Sequence, residues 1–169
     1  TLDPSVTGVL PIAIGNATRL LPYLEGSKAY TGTIQLGAKS NTDDMQGEII
    51  KSKICPIISM YNLNNLMDNF RGEILQKPPL FSSVHVKGER AYKKARRGES
   101  FDLTPKKITI KKLNIISWHQ KKCELVVDVD CSKGTYIRSL ARDIGDKIGC
   151  GAYLKTLHRT KAYNFNENH

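Results

Sequence analysis

The chain has 169 residues, of which 40% are hydrophobic and 25% charged, and its formal net charge at pH 7 is +10. This length suits one domain with a buried core, and no stretch approaches the roughly 20 unbroken apolar residues that a membrane span needs. The charge is uneven, because residues 87–112 hold ten basic and three acidic side chains. A basic stretch of this kind attracts a polyanion, although a solubilising surface would have a similar composition.

The four cysteines and four histidines show no CxxC pair, no disulfide-framework spacing and no HExxH-type pairing. We therefore expect no metal site, and we expect reduced, mostly structural cysteines in a cytoplasmic protein. The first residues are Thr1-Leu2-Asp3-Pro4, with no initiator methionine and no signal or transit peptide. We expect part of the natural protein to lie upstream of them.

The first third of the chain contains two predicted strands and one predicted helix. Residues 9–14, interrupted by Pro11, favour a short buried strand, and residues 16–24 favour a short helix. Residues 29–36 alternate between apolar and polar side chains as a half-buried strand does. Residues 40–47 are rich in Asn, Asp, Thr and Gly, which indicates a polar loop.

The middle of the chain predicts two helices and a strand. Ser59 is a suitable N-cap for a helix with a core-facing apolar stripe. Residues 81–86 favour a strand, and residues 89–97 favour a short, very basic helix that ends at Gly98.

The last part of the chain contains the most regular helix, at residues 135–148. Two strands precede it, at 108–118 and 123–131, and a final strand covers 153–157. Strands and helices are mixed without regular βαβ alternation. The order predicts an α+β domain with a mixed, largely antiparallel sheet flanked by helices.

Asp3 is the first candidate functional residue. Pro4 biases Asp3 away from helical backbone, and Gly8 permits a tight turn into the following strand. A rigid loop would therefore present the Asp3 carboxylate. An ordinary turn-forming Asp-Pro pair is the alternative that these residues leave open.

Arg138 is the second candidate, on the first turn of the helix predicted after Gly134. The strand–turn–helix arrangement places backbone N–H groups where an anion could bind. Arg138 lies opposite the apolar stripe and could pair with a carboxylate such as Asp3. Solvation, or pairing with the nearby Asp143 or Asp146, is the alternative.

Tyr30 and a group of basic residues could contact nucleic acid. The Tyr30 ring could stack on a flipped base, although a core tyrosine would suit the same position. Six cations in and beside the basic helix suit a nucleic-acid backbone, namely Lys87, Arg90, Lys93, Lys94, Arg96 and Arg97.

Taken together, these segments resemble the TruB family of tRNA pseudouridine synthases, from the first residue to about Arg159. The similarity is highly specific, because several family motifs occur in order at sensible separations: Thr1-Leu2-Asp3-Pro4 to Pro11, Lys28-Ala29-Tyr30, residues 36–47, residues 78–98, Cys131-Ser132-Lys133-Gly134-Thr135-Tyr136-Ile137-Arg138, and residues 149–157.

The resemblance implies a role for each matched residue. Asp3 falls on the essential catalytic aspartate, and Arg138 falls on the arginine that pairs with it. Tyr30 would pack on the target base, Tyr136 would contact substrate, and Leu157 would line the uridine pocket.

The resemblance also implies a reaction, isomerisation of uridine to pseudouridine at position 55 in the T-loop of tRNA. That reaction requires no cofactor or metal, because nothing is oxidised and no group is supplied from outside. We expect a cytoplasmic monomer without an obligatory protein partner or a membrane association. We also expect Arg138→Lys to be poorly tolerated, because lysine cannot reproduce a bidentate ion pair.

Two departures from the family pattern define the expected domain. Residues 1–169 would form a single catalytic domain that lacks the family's N-terminal strand, with its Gly-His segment, and lacks any C-terminal RNA-binding extension. Two other functions are open to the sequence. One is a guide-RNA-dependent pseudouridine synthase of the archaeal and eukaryotic type, and the other is a non-catalytic RNA-binding or tRNA-folding protein.

Overall fold

A computed structural model describes residues 2–167 of the chain. In chain order the strands and helices are β1 (Thr7–Gly8), β2 (Lys28–Leu36), β3 (Ala38–Ser40), β4 (Ile49–Lys51), α1 (Met60–Met67), β5 (Gly72–Gln76), β6 (His85–Val86), β7 (Glu89–Arg90), α2 (Ala91–Arg96), β8 (Lys106–His119), β9 (Glu124–Cys131), α3 (Ile137–Ile148), β10 (Ala152–Ala162) and β11 (Phe165–Asn166). Three short 3-10 helices cover Gly15–Tyr23, Asp68–Phe70 and Gln120–Lys122.

The main sheet has seven strands, six of them in the order β1-β10-β2-β9-β8-β5, with β11 paired to β10. Strand β1 runs parallel to β10, and the other pairings in this sheet are antiparallel. Strands β3 and β4 form one small two-stranded sheet, and β6 and β7 form another. This architecture confirms the expected α+β class with a largely antiparallel sheet.

One face of the sheet forms the core with α1 and α3. Alternate residues of β2 and β9 are buried, as a period of two requires for a strand with one covered face. Leu63 and Met67 of α1, and Leu140 and Ile144 of α3, pack in the same hydrophobic cluster as these strand residues. Helix α3 therefore packs on the sheet, and its first turn lies near the residues of β2 and β10 that line the site described below.

Helix ends follow local chemistry. The Ser59 hydroxyl accepts a hydrogen bond from the Asn62 backbone N–H at 3.2 Å, so α1 begins at its predicted cap. Helix α3 ends at Gly149, whose φ of 89° is left-handed and is favourable for glycine.

Two predicted strands are absent from the described residues. Residues 9–14 are not a strand, and the side chains of Ile12 and Ile14 are 78% and 84% exposed. An apolar run becomes a buried strand only if another strand pairs with it, and Pro11 removes one backbone donor. Residues 81–84 are likewise irregular, and only His85–Val86 of the predicted 81–86 strand pairs, with β7.

Candidate active site

A cleft of about 550 Å³ opens between the N-terminal loop, strands β2 and β10, and the first turn of α3. The five residues expected at a catalytic or substrate site all line it, namely Asp3, Tyr30, Tyr136, Arg138 and Leu157. They come from four separate parts of the chain. The tertiary structure therefore brings together groups that the sequence only lists in order.

The N-terminal loop presents Asp3 from a turn that is fixed at both ends. The Val6 N–H donates to the Asp3 carbonyl at 2.9 Å, and Pro4 occupies the turn between them. Gly8 then pairs with Arg159 of β10 at a φ of 102°, and a Cβ on Gly8 would lie 2.2 Å from the Arg159 carbonyl oxygen. Only glycine permits this approach, so the short parallel pairing with β10 fixes where the loop stands.

Arg138 and Asp3 form an ion pair, with Arg138 Nε 3.0 Å from Asp3 Oδ2. The Arg138 side chain is only 9% exposed, whereas the Asp3 carboxylate is 48% exposed and faces the cleft. The rest of the guanidinium is used elsewhere, since it donates to the carbonyls of Thr42 at 3.0 Å and Phe81 at 3.2 Å. The expected bidentate pair with Asp3 is therefore wrong, because both terminal nitrogens of the guanidinium donate to backbone carbonyls and the 3.0 Å contact with Asp3 is made by Nε.

Asp44 is a second carboxylate at this guanidinium, and the sequence identified it only as a loop residue. Its Oδ2 lies 3.5 Å from Arg138 NH1, and its side chain is 10% exposed. Its other oxygen, Oδ1, accepts from the Thr42 hydroxyl at 2.6 Å and from the Gln46 N–H at 2.9 Å. These bonds fix the Asp44 carboxylate, so the Arg138 cation lies between one buried acid and one exposed acid.

Tyr30 lies on the buried face of β2, opposite Arg159 of β10 and Val129 of β9. Burial raises the pKa of the Tyr30 hydroxyl above its usual value, and the neighbouring Arg159 partly offsets this effect. Arg159 is 3% exposed, lines the cleft, and donates from Nε to the Val9 carbonyl at 2.7 Å. Its position connects the tyrosine to the N-terminal loop, a role that no local pattern in the sequence indicated.

Tyr136 is held by a buried amide that the sequence analysis also missed. Gln76 is 2% exposed, accepts from the Tyr136 N–H at 2.9 Å, and donates to the Tyr136 carbonyl at 3.1 Å. Burial raises the pKa of the Tyr136 hydroxyl, whereas Arg138 and the nearby Ser82 hydroxyl lower it. Ser82 is 3% exposed, and its hydroxyl makes no well-formed hydrogen bond within residues 2–167. The buried Ser82 hydroxyl thus lies beside the Tyr136 hydroxyl at this wall of the cleft.

Leu157 and Gly32 shape the apolar side of the cleft. The two residues are paired across β10 and β2, and a Cβ on Gly32 would meet a Leu157 methyl group at 3.2 Å. The absence of a side chain at Gly32 gives Leu157 the room that it occupies beside the cleft.

The six cations expected at an RNA backbone differ in their environments. Arg97 pairs with Glu89 through two hydrogen bonds of 2.7 Å and also binds Glu99, and it lowers the pKa of Glu89 to about 2. Lys94 lies near the same two glutamates. These two cations are thus largely neutralised within the protein.

Of the other four, Arg90 donates to the Ser83 carbonyl, and Arg96 lies over the Tyr92 ring at 5.3 Å and lines the cleft. Lys87 and Lys93 are exposed and, within residues 2–167, lie in no ion pair. Arg96 is the member of the predicted set that the fold brings to the cleft itself.

Within residues 2–167, no group of three or more His, Cys, Asp or Glu side chains is arranged to hold a metal ion. In the same part of the chain, no helix has the length and hydropathy to span a bilayer.

Comparison with known proteins places this fold in a recognised class. A solved structure of a Cbf5-Nop10-Gar1 complex has the same fold, with a TM-score of 0.70, 27% identity, and coverage of 98% of this chain and 40% of that one. The family model "TruB family pseudouridylate synthase (N terminal domain)" matches residues 1–137, and "tRNA pseudouridylate synthase B C-terminal domain" matches residues 138–169. The fold is thus that of a pseudouridine synthase domain.

The chain belongs to the TruB family of pseudouridylate synthases. It is 78% identical over 169 residues to tRNA pseudouridine synthase B of Prochlorococcus marinus (strain NATL1A), covering all of this chain and 54% of that protein. It is 54% identical over 169 residues to the tRNA pseudouridine synthase B of Synechococcus sp. (strain CC9311), covering 57% of that protein. The chain therefore spans about half the length of the curated relatives that it matches.

Proposed function

We propose that this protein isomerises uridine to pseudouridine at position 55 in the T-loop of tRNA, with Asp3 as the catalytic carboxylate. The observation that carries the proposal is the 3.0 Å ion pair between Asp3 and Arg138, at the side of a cleft that also contains Tyr30. Family membership adds the reaction class, and the relatives named tRNA pseudouridine synthase B support tRNA as the substrate.

The reaction breaks the bond between N1 of uracil and C1′ of the ribose, rotates the base, and joins C5 to C1′. The proton on C5 is lost and N1 gains one, so the product is an isomer and no outside group is needed. Asp3 is half-exposed toward the cleft and acts at the ribose, either by attacking C1′ or by removing the 2′ proton. Arg138 orients the Asp3 carboxylate through the ion pair at 3.0 Å.

The target base must leave the stacked loop to reach Asp3, which costs a few kcal/mol. Stacking of a base on an aromatic ring is worth about 1–3 kcal/mol, so Tyr30 can offset much of that cost. Tyr136 and Leu157 contact the substrate from the other walls of the cleft. The 550 Å³ volume lies within the range of about 300–1,000 Å³ that is usual for small-molecule pockets and is ample for one extruded nucleotide.

The cations on and near α2 bind the RNA backbone in this proposal, with Arg96 nearest to the extruded nucleotide. The protein acts on the tRNA T-stem-loop as a cytoplasmic monomer, without a guide RNA or an obligatory protein partner. Residues 1–169 act as one catalytic domain. A guide-dependent enzyme would instead require added RNA and partner proteins for activity.

The test is single-turnover conversion of a T-stem-loop RNA by the complete natural protein and by its Asp3→Asn variant. We expect conversion by the parent and a loss of at least about a thousandfold in the variant, which keeps the shape but removes the charge. Activity of the Asn variant near that of the parent would reject Asp3. Failure of the parent to convert the stem-loop would reject the substrate.

A salt titration of RNA binding tests the docking face. Each phosphate neutralised by a lysine or arginine contributes about −0.7 to −0.9 to the slope of log K against log salt concentration. A slope near zero between low and moderate salt would exclude the basic residues as the docking surface.

A further inference from the structure

Two arginines one turn apart on α3 connect the same two segments of the chain. Arg138 donates to the Thr42 carbonyl in the loop after β3 and to the Phe81 carbonyl in the segment after β5. Arg142 repeats this pattern, with NH1 2.7 Å from Asp43 Oδ2 and NH2 2.8 Å from the Lys77 carbonyl. Residues four apart on a helix lie on the same face, so the two arginines make two successive connections between these segments.

Arg142 has two acidic partners, its helix neighbour Asp143 and the loop residue Asp43, and Asp43 is built into the fold. It is 9% exposed, and its φ of 62° is in the left-handed region, which costs a non-glycine residue about 1–2 kcal/mol. Its N–H donates to Ser40 at 3.2 Å, and its carbonyl accepts from the Leu154 N–H at 2.9 Å. Burial raises the pKa of Asp43 to about 6, and Arg142 is the largest of the influences that oppose this rise.

The ion pair between Arg142 and Asp43 affects the cleft through the two sequence neighbours of Asp43. Thr42 and Asp44, on either side of it, both contact the Arg138 guanidinium. Arg138 is the only cation within 4.0 Å of the Asp3 carboxylate in the described part of the chain. A displacement of the loop at Asp43 would therefore move two of the groups that orient Arg138, and with it the partner of Asp3.

We propose that Arg142 and Asp43 are positioning residues for the proposed isomerisation, because their ion pair holds the loop and the segment that orient Arg138 beside Asp3. The inference rests on the proposed function for its catalytic consequence. The pair contacts no cleft residue that reacts, so its effect is on the rate of the chemical step and not on RNA capture. Displacements of about 1 Å at a distance from the chemistry can cost about a hundredfold in rate.

The chain offers a matched control on the same helix. Lys39 of β3 and Asp146 of α3 form another ion pair at 2.7 Å, four residues beyond Arg142. Their side chains are 52% and 47% exposed, so this pair should contribute little. Asp146→Asn removes a carboxylate from an ion pair on α3 without disturbing the segments that hold Arg138.

The experiment compares the complete protein with Asp43→Asn, Arg142→Gln, the double variant and Asp146→Asn. We expect Asp43→Asn and Arg142→Gln each to lower the single-turnover rate constant about 10- to 100-fold. The dissociation constant of the stem-loop should stay within about twofold of the parent. The double variant should lose about as much as Arg142→Gln alone, because that change already removes the pair with Asp43 together with the contacts of Arg142 to Asp143 and Lys77. Asp146→Asn should match the parent.

Single-turnover rates within about twofold of the parent in folded single variants would overturn the proposal. Losses confined to RNA affinity would also overturn it. So would a double variant whose loss of rate equals the sum of the two single losses in free energy. A readout without catalysis separates this proposal from the proposed function. The buried Arg138 Nε–H, which lies beside Asp3, should be observable by NMR, and it should exchange with solvent at least about tenfold faster in Asp43→Asn and Arg142→Gln than in the parent or Asp146→Asn. Unchanged Nε–H exchange in the two variants would overturn the positioning role, even if the parent isomerises no uridine. Faster exchange in the two variants, together with a parent that isomerises no uridine, would reject only the proposed function.

Discussion

Replacing Arg138 with lysine tests the ion pair with Asp3, because the substitution keeps the positive charge and removes the planar guanidinium with its several N–H donors. The guanidinium contacts four acceptors between 3.0 and 3.5 Å, two of them backbone carbonyls, in an environment that leaves 9% of the side chain exposed. One ammonium group on a shorter stem cannot reach all four. Each buried acceptor that loses its donor costs about 1–3 kcal/mol, so two lost carbonyl bonds predict a decrease of about 2–6 kcal/mol in unfolding free energy.

The same substitution should slow the reaction. Loss of one preorganised electrostatic contact at a reacting group typically costs about 10²–10³ in rate, and we expect a decrease of that size in single-turnover conversion of the T-stem-loop. Arg71→Lys is a matched control far from the cleft, since Arg71 also donates from its guanidinium to a backbone carbonyl, that of Leu113, at 2.7 and 3.0 Å. A folded Arg138→Lys protein that reacts within about threefold of the parent would refute the reasoning.

Three other substitutions give outcomes that can be measured separately. Gln76→Leu should lower the unfolding free energy by about 1–3 kcal/mol in urea titrations, because the buried Tyr136 N–H loses its partner; an unchanged value would contradict this. The pKa of Asp43 is about 6 in the folded protein and 3.8 ordinarily, so the folded state binds the proton more tightly and stability should rise, by about 1 kcal/mol, as the pH falls from 7.5 to 5. Asp43→Asn should abolish this rise, and a persistent rise would assign it to another group. Arg96→Gln should weaken RNA binding and reduce the salt slope by about one, whereas Arg97→Gln should have the smaller effect, because two glutamates already neutralise Arg97; equal effects would exclude this distinction.

Local signals in the sequence predicted the elements whose causes are local. The alternation of β2 follows from a strand with one covered face, and the start of α1 follows from a hydroxyl placed to cap it. The end of α3 follows from Gly149. Each of these features depends on side chains within a few positions of one another.

The predictions that were wrong depended on partners elsewhere in the chain. Residues 9–14 have the composition of a buried strand, but beyond the Val9 N–H, which donates to the Arg159 carbonyl of β10, no strand among residues 2–167 pairs with them. The bidentate pair expected between Asp3 and Arg138 depended on which other acceptors surround the guanidinium. Two of those acceptors are the carbonyls of Thr42 and Phe81, 96 and 57 positions away from Arg138. Backbone carbonyls are the same in every residue and leave no signal in a sequence.

The sequence by itself determined the fold class, the family and the short list of groups from which a site could be made, because periodicity and motif order are properties of the chain. The tertiary structure decided which of those groups meet. It placed Asp44 and Asp43 under successive arginines of α3, put Gln76 behind Tyr136, and paired Arg97 with glutamates away from the cleft. The physical reason is that a charge or an amide acquires its role from the distance and burial of its partners, and these are fixed only when sheet register and helix packing bring distant segments together.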